Sequence, residues 1–260
     1  MTKFLVLILY FCVMLFACAE VEPSSSDELR IVSLSPGITA TIVDLGYADV
    51  VIGRSSFCNA VDKQVPVVGD LYTVDYERLL RLSPSDVLVQ VTINGMDKHL
   101  QELAEEGLFE LHTFRVDRLT DIQQMHDDIL ELLSEDAREM QVILDMVALP
   151  SSILMMTAGS EGAAGLCFGR ETYLDDLLLM MGGTNALQKS GWVSLSLEDI
   201  GRLNPAIIIV VSDSFISEKA LTVIKSLGIE IIPFTHEDVL IPSSRIVDVA
   251  KKLQEALQQR

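Results

Sequence analysis

A stretch of seventeen residues occurs twice in this chain, and that repeat limits the possible fold more than any other feature. VDYERLLRLSPSDVLVQ, Val74 to Gln90, returns 121 positions later as LSLEDIGRLNPAIIIVV, Leu195 to Val211, without a gap. Five positions are identical: Glu77 with Glu198, Arg81 with Arg202, Leu82 with Leu203, Pro84 with Pro205 and Val89 with Val210. About one identity would be expected by chance at average residue usage. Each copy opens with a small polar residue able to cap a helix, Asp75 or Ser196. Its glutamate follows two residues later, where the free amides of a first turn favour an anion. A proline then stops the helix, and branched aliphatics follow that read as a buried strand. An interval this long implies two similar α/β lobes, since solenoid repeats recur every ~20–50 residues.

The chain has 260 residues, enough for two lobes of roughly 100 residues with a core each. Its formal net charge is −19 and no basic patch is present, which excludes nucleic acid as a partner because phosphate binding needs a clustered cationic surface. Residues 1–17 are one lysine followed by an apolar run too short to span a bilayer comfortably, the pattern of a secretory signal. The run ends in Leu15-Phe16-Ala17-Cys18, which resembles the lipobox of bacterial lipoproteins and makes Cys18 the expected lipid anchor. An ordinary signal cut near Ala19 would export the body equally. Residues 18–29 are polar and serine-rich, a short tether. Cys58 and Cys167 fall one in each lobe and are expected as two free thiols.

Strand and helix signals alternate over 30–117, which predicts a parallel sheet for the N-terminal lobe. Over 118–149 there is no glycine or proline, and apolar residues recur from Leu119 through Ile122, Met125 and Ile129 to Val147. That spacing predicts one amphipathic helix of about 30 residues, roughly 45 Å long, bridging the lobes. Residues 150–260 repeat the alternation as a C-terminal lobe.

Enzyme signatures are absent: there is no nucleophile elbow, Walker A loop or H-E-x-x-H helix, so no catalysis is expected. The four histidines are scattered, without metal-ligand spacing. The aromatics are more informative. Phe57, Tyr72, Phe168 and Trp192 fall in irregular segments at strand ends, where α/β sheets place ligands. Trp192 lies six residues before Glu198, and Leu71 with Tyr72 holds the equivalent place before Glu77. Both lobes would therefore face one shared cleft.

Four segments carry a family resemblance: RIVSLSPGITATIVDLGYADVVIGRSSFCN, PVVGDLYTVDYERLLRLSPSDVLV, GRETYLDDLLLMMGGTN and GWVSLSLEDIGRLNPAIIIV. They resemble the helical-backbone class of periplasmic binding proteins, which serve ABC importers of cobalamin, ferric siderophores and haem. The resemblance implies two Rossmann-like lobes with parallel sheets, a bridging helix, modest lobe closure, and a chelate held between the lobes. It also implies a monomer with no resident cofactor, delivering its ligand to an ABC permease dimer with ATPase subunits. The ligand-binding positions it implies are Phe57, Leu71, Tyr72, Leu166, Phe168, Arg170 and Trp192. Leu71 stands where cobalamin binders carry tryptophan, and Leu166 where they carry phenylalanine. Cobalamin and a ferric siderophore are implied about equally, with Arg54, Arg170 and Arg245 as possible partners for an anionic complex. Haem ranks third, because Tyr72 is two residues displaced from the axial-ligand position. Glu77 and Glu198 match the carboxylates that relatives place on each lobe to meet permease arginines.

Overall fold

In the computed structural model, residues 29–92, 95–136, 139–159 and 165–260 are described. The signal, Cys18 and nearly all of the tether lie outside them. The first sheet comprises β1 (Ile31–Ser33), β2 (Val51–Ser55), β3 (Val67–Gly69), β4 (Asp86–Gln90) and β5 (Glu110–Phe114). They lie in the order β3-β2-β1-β4-β5, every pair parallel. Helices α1 (Pro36–Asp44), α2 (Tyr76–Leu82) and α3 (Lys98–Glu105) lie between them in the chain. Parallel pairing needs such crossovers, and a central strand covered on both faces needs an unbroken apolar run. Ile31, Val32, Val87 and Leu88 meet that need, all fully buried.

Helix α4 (Leu119–Leu132) leads to the second sheet: β6 (Ile153–Thr157), β7 (Leu166–Phe168), helix α5 (Tyr173–Met180), β8 (Trp192–Ser194), α6 (Leu197–Leu203), β9 (Ile207–Ser212), α7 (Glu218–Lys225), β10 (Glu230–Thr235) and α8 (Ile246–Gln258). Its order is β10-β9-β6-β7-β8. Strands β6, β9 and β10 are parallel, whereas β7 runs antiparallel to both β6 and β8. The expectation of a purely parallel second sheet is corrected by chain length: only residues 158–165 separate β6 from β7. So short a link cannot carry a crossover and must return antiparallel.

The two copies of the repeat fold alike. Asp75 Oδ1 accepts from the Arg78 amide at 3.0 Å, and Ser196 Oγ accepts from the Asp199 amide at 3.1 Å. Each helix buries one side chain completely, Leu79 in α2 and Ile200 in α6. Each ends on a left-handed residue before its proline, Ser83 at φ 46° and Asn204 at φ 45°.

The helix expected over 118–149 is present only as α4, over Leu119–Leu132. Ser134 adopts φ 54°. Its amide bonds to Glu131 O and the Glu135 amide to Leu130 O, the paired bonds that close a helix with a left-handed residue after its cap. Tyr47 also holds the Glu135 carboxylate through its hydroxyl. Residues 139–150 then run without helix or strand. Met140, Val142 and Leu144 turn inward while Gln141 and Ile143 stay exposed, the two-residue alternation of extended chain.

One of three apolar core clusters among the described residues runs through both lobes, taking in Ile31, Ile38 and Leu88 from the first and Ile153, Tyr173, Ile209 and Val249 from the second, with Ile122 and Ile129 of α4 between. Polar ties reinforce it. Arg118 clasps Asp176 of α5 with its Nε 2.9 Å from Oδ2. Arg245 pairs with Asp44 of α1 at 2.9 Å and with Asp238 at 3.3 Å. The backbones approach closely at Gly37, where a Cβ would lie 2.1 Å from the Pro242 carbonyl oxygen.

Candidate functional site

Parallel strands of one sheet end on one rim, and α/β sheets bind ligands there. In the first lobe that rim is shaped by a turn after β3. Asp70 Oδ1 accepts from the Tyr72 and Thr73 amides at 2.8 and 2.9 Å, so the local chain pins the turn and presents Leu71 and Tyr72. These amides, with the Thr73 hydroxyl, hold the Asp70 carboxyl below its ordinary value despite some desolvation. Beside it, the Ser56 amide bonds to Gly69 O at 2.8 Å, which brings Phe57 next to the turn. Phe57 is 63% exposed and Tyr72 71%.

The second lobe answers with an aromatic shelf. Trp192 opens β8 directly opposite Phe168 of β7, their ring centroids 4.4 Å apart at 58°. Tyr173 lies 6.3 Å from Trp192, and its hydroxyl donates to Val239 O at 3.0 Å. Trp192 is left 41% exposed on this backing. It faces a cavity of about 190 Å³ between the lobes. Gly37, Leu71, Gln90, Val116 and Asp117 line it from the first lobe, and Tyr173, Trp192, Leu240, Ile241 and Pro242 from the second. A smaller hollow of about 40 Å³ shares Leu71 and Gln90 and adds Tyr72, Asp70, Met96 and Asp97.

The structure thus brings Leu71 and Trp192 together across one cavity, with Tyr72 alongside. Phe57 is exposed on the first lobe without lining either hollow. Leu166 is exposed at the outer end of β7, its amide bonded to Thr157 Oγ1 at 2.9 Å. Phe168 needs correcting as a contact residue, because it is fully buried beneath Trp192. Phe168 fills the core shared by the lobes, and Trp192 covers it. Arg170 lies beyond the other end of β7, its amide bonded to Lys189 O at 2.9 Å, and it lines neither hollow.

The two remaining arginines are structural. Arg54 is buried and donates to the carbonyls of Val65, Ser55 and Cys58 at 3.1–3.2 Å. Arg245 is taken up by Asp44 and Asp238. Glu77 and Glu198 stand on the rim, with side chains 83% and 82% exposed. Each pairs within its helix, Glu77 with Arg81 and Glu198 with Arg202. Both cysteines are free and buried. Burial pushes the Cys167 thiol up to about 12, which leaves it unreactive.

Sequence reasoning missed Phe215, which is 86% exposed just past the carboxyl end of β9. A lone aromatic in a polar loop directly after a core strand was the available signal. It also missed Gln90, the last residue of β4, whose Oε1 accepts from Ser35 Oγ at 3.1 Å.

A family model described as periplasmic binding protein matches residues 31–238. A relative from Bacillus subtilis, the uncharacterized ABC transporter substrate-binding lipoprotein YvrC, is 22% identical over 198 residues. That match takes in 69% of this chain but only 62% of the relative's length. Among solved structures, the periplasmic haem-binding protein HutB of Vibrio cholerae superposes with a TM-score of 0.69 at 18% identity, over 88% of this chain and 98% of its own. The periplasmic vitamin B12 binding protein BtuF of Vibrio cholerae gives 0.63 at 15% identity, over 88% and 96%. Identities this low speak for the fold alone. With the pattern matched from β1 to the loop after β10, and a two-lobe frame shared with these structures, this chain belongs to the periplasmic binding protein family.

Proposed function

We propose that this protein is the substrate-binding lipoprotein of an ABC importer. It captures a metal chelate, cobalamin or a ferric siderophore, in the cleft between its lobes and delivers it to a permease dimer driven by ATPase subunits. The observation that carries this reading is the half-exposed Trp192, braced on Phe168 and facing an apolar interlobe cavity opposite Leu71. A large flat chelate gains from such a surface through buried area and offset stacking. Phe57, Tyr72, Leu166 and Phe215 would extend the contact around the rim.

Trp192 is the only tryptophan, so its emission reports this one site. A bound corrin or ferric complex quenches it, and Trp192→Ala weakens binding by about tenfold or more, from lost stacking and area. Chelate binding measured by calorimetry with no change in emission would remove Trp192 from the site. Native mass spectrometry of protein purified from its own host identifies the ligand by mass. Haem is the second reading, favoured by the exposed Tyr72 phenol beside the cleft, and a Soret band in the purified protein would select it.

The lipid anchor is part of the proposal. Cys18→Ala moves the protein from the membrane fraction to the soluble fraction, because multiple acyl chains anchor stably where none remains. A variant that stays on the membrane, together with a native protein that takes up no labelled fatty acid, rules the anchor out.

A further inference from the structure

Every charged side chain lining the two hollows of the cleft is a carboxylate. Asp117 borders the larger hollow, and Asp70 and Asp97 border the smaller. Two of the three are fixed in place by the backbone. Asp70 holds the turn after β3, and Asp97 caps α3, accepting from the His99 amide at 2.9 Å and the Leu100 amide at 3.2 Å. Neither can swing away without breaking its turn or cap. Burial works against the charge on Asp97, but the Leu100 and His99 amides help keep the carboxyl below its ordinary range. Asp70 is held low in the same sense. Both stay ionised at any physiological pH.

Three nearby arginines are committed elsewhere, while Arg115 pairs with Asp117 itself. Arg54 faces inward on carbonyls, Arg245 holds Asp44 and Asp238, and Arg118 holds Asp176. Arg115 sits 3.0 Å from Asp117 on the exposed side. Among the described residues no lysine or arginine lines either hollow. The one neutral polar side chain shared by both hollows is Gln90. Its Oε1 is occupied by Ser35, which leaves the amide nitrogen to donate to a ligand carbonyl.

We infer that this cleft selects a chelate with a neutral or cationic periphery, bearing amide or hydroxamate groups, and rejects polyanionic chelates such as tris-catecholates. The inference rests on the chelate-binding reading above and narrows its substrate class. Repulsion from fixed carboxylates acts over about 8 Å at physiological ionic strength, which is on the scale of the cleft. A polyanionic complex would therefore meet like charge on entry, and no guanidinium among the described residues lines the hollows to receive it.

The test is a titration of the mature protein, followed by Trp192 emission, against four probes: cyanocobalamin, a ferric trihydroxamate carrying an ammonium group, a ferric tris-catecholate, and haemin with its two propionates. The expected result is that cyanocobalamin or the cationic trihydroxamate binds at least about tenfold more tightly than either anionic probe. Asp117→Lys, at an exposed position, should shift that ratio toward the anionic probes by about threefold or more. A tris-catecholate or haemin that binds the native protein most tightly overturns the charge selection while leaving chelate capture intact. An unchanged ratio in Asp117→Lys overturns it as well. A cooperatively melting protein that binds none of the four sinks both readings together.

Discussion

Reversing both rim carboxylates, Glu77→Arg with Glu198→Arg, should abolish chelate uptake in cells while changing the affinity of the purified protein by no more than about twofold. The two glutamates occupy matched places on two lobes built from one repeat, so a two-fold symmetric permease can present the same surface to each. Arginine at these places would set like charge against the permease arginines that the family resemblance implies. The folding cost is modest, since both side chains are exposed. Each change removes a favourable charge from a helix N-terminus and places a cation one turn from Arg81 or Arg202, together worth roughly 1 kcal/mol per site. Thermal melts of the double variant must therefore be recorded first. Normal transport by a folded double variant would sink the docking role. Lost affinity would instead assign the glutamates to the binding site.

A clear loss of stability should come from a single methyl group. Gly37 is buried in the first turn of α1, and an added Cβ would lie 2.1 Å from the Pro242 oxygen and 3.0 Å from its carbonyl carbon. Helix propensity alone favours alanine over glycine by up to about 1 kcal/mol. The contact decides otherwise, because the obstacle is backbone and cannot rotate away. Gly37→Ala should destabilise by about 1–3 kcal/mol, the usual cost of forcing extra volume into a packed site. In a protein of this size that lowers Tm by roughly 2–4 °C for each kcal/mol. Since Gly37 and Pro242 also line the cavity, chelate affinity should fall in the same variant. A melting temperature equal to or above that of the native protein would show that the lobes separate here at no cost.

Much of the frame was legible because it is written in local chemistry. The repeat marked both short helices, with Asp75 and Ser196 as their caps and a proline beyond each end. The errors arose where distant contacts overrule a local pattern. Ser134 takes a left-handed conformation that sequence readers assign to glycine, so the long apolar periodicity concealed the end of α4. The brevity of the link between β6 and β7 was visible, but the alternation of strand and helix signals concealed that it returns antiparallel. At the site, exposed aromatics next to glycine were readable, and Trp192 is the example. Phe168 and Arg245 were not, because burial decides the first and a distant pairing with Asp44 the second.

The core shared by the two lobes bears on how cargo is let go. A jaw that swung wide would have to expose leucine- and isoleucine-sized side chains of that core to water. Baring even three of that size costs roughly 5–9 kcal/mol, so fewer than about one empty molecule in a thousand would gape spontaneously. Exchange with solvent then proceeds through a nearly preformed slot, and residence time is a property of the slot rather than of a hinge. Faster unloading requires work from outside, and the lever is whatever grips the two rims together.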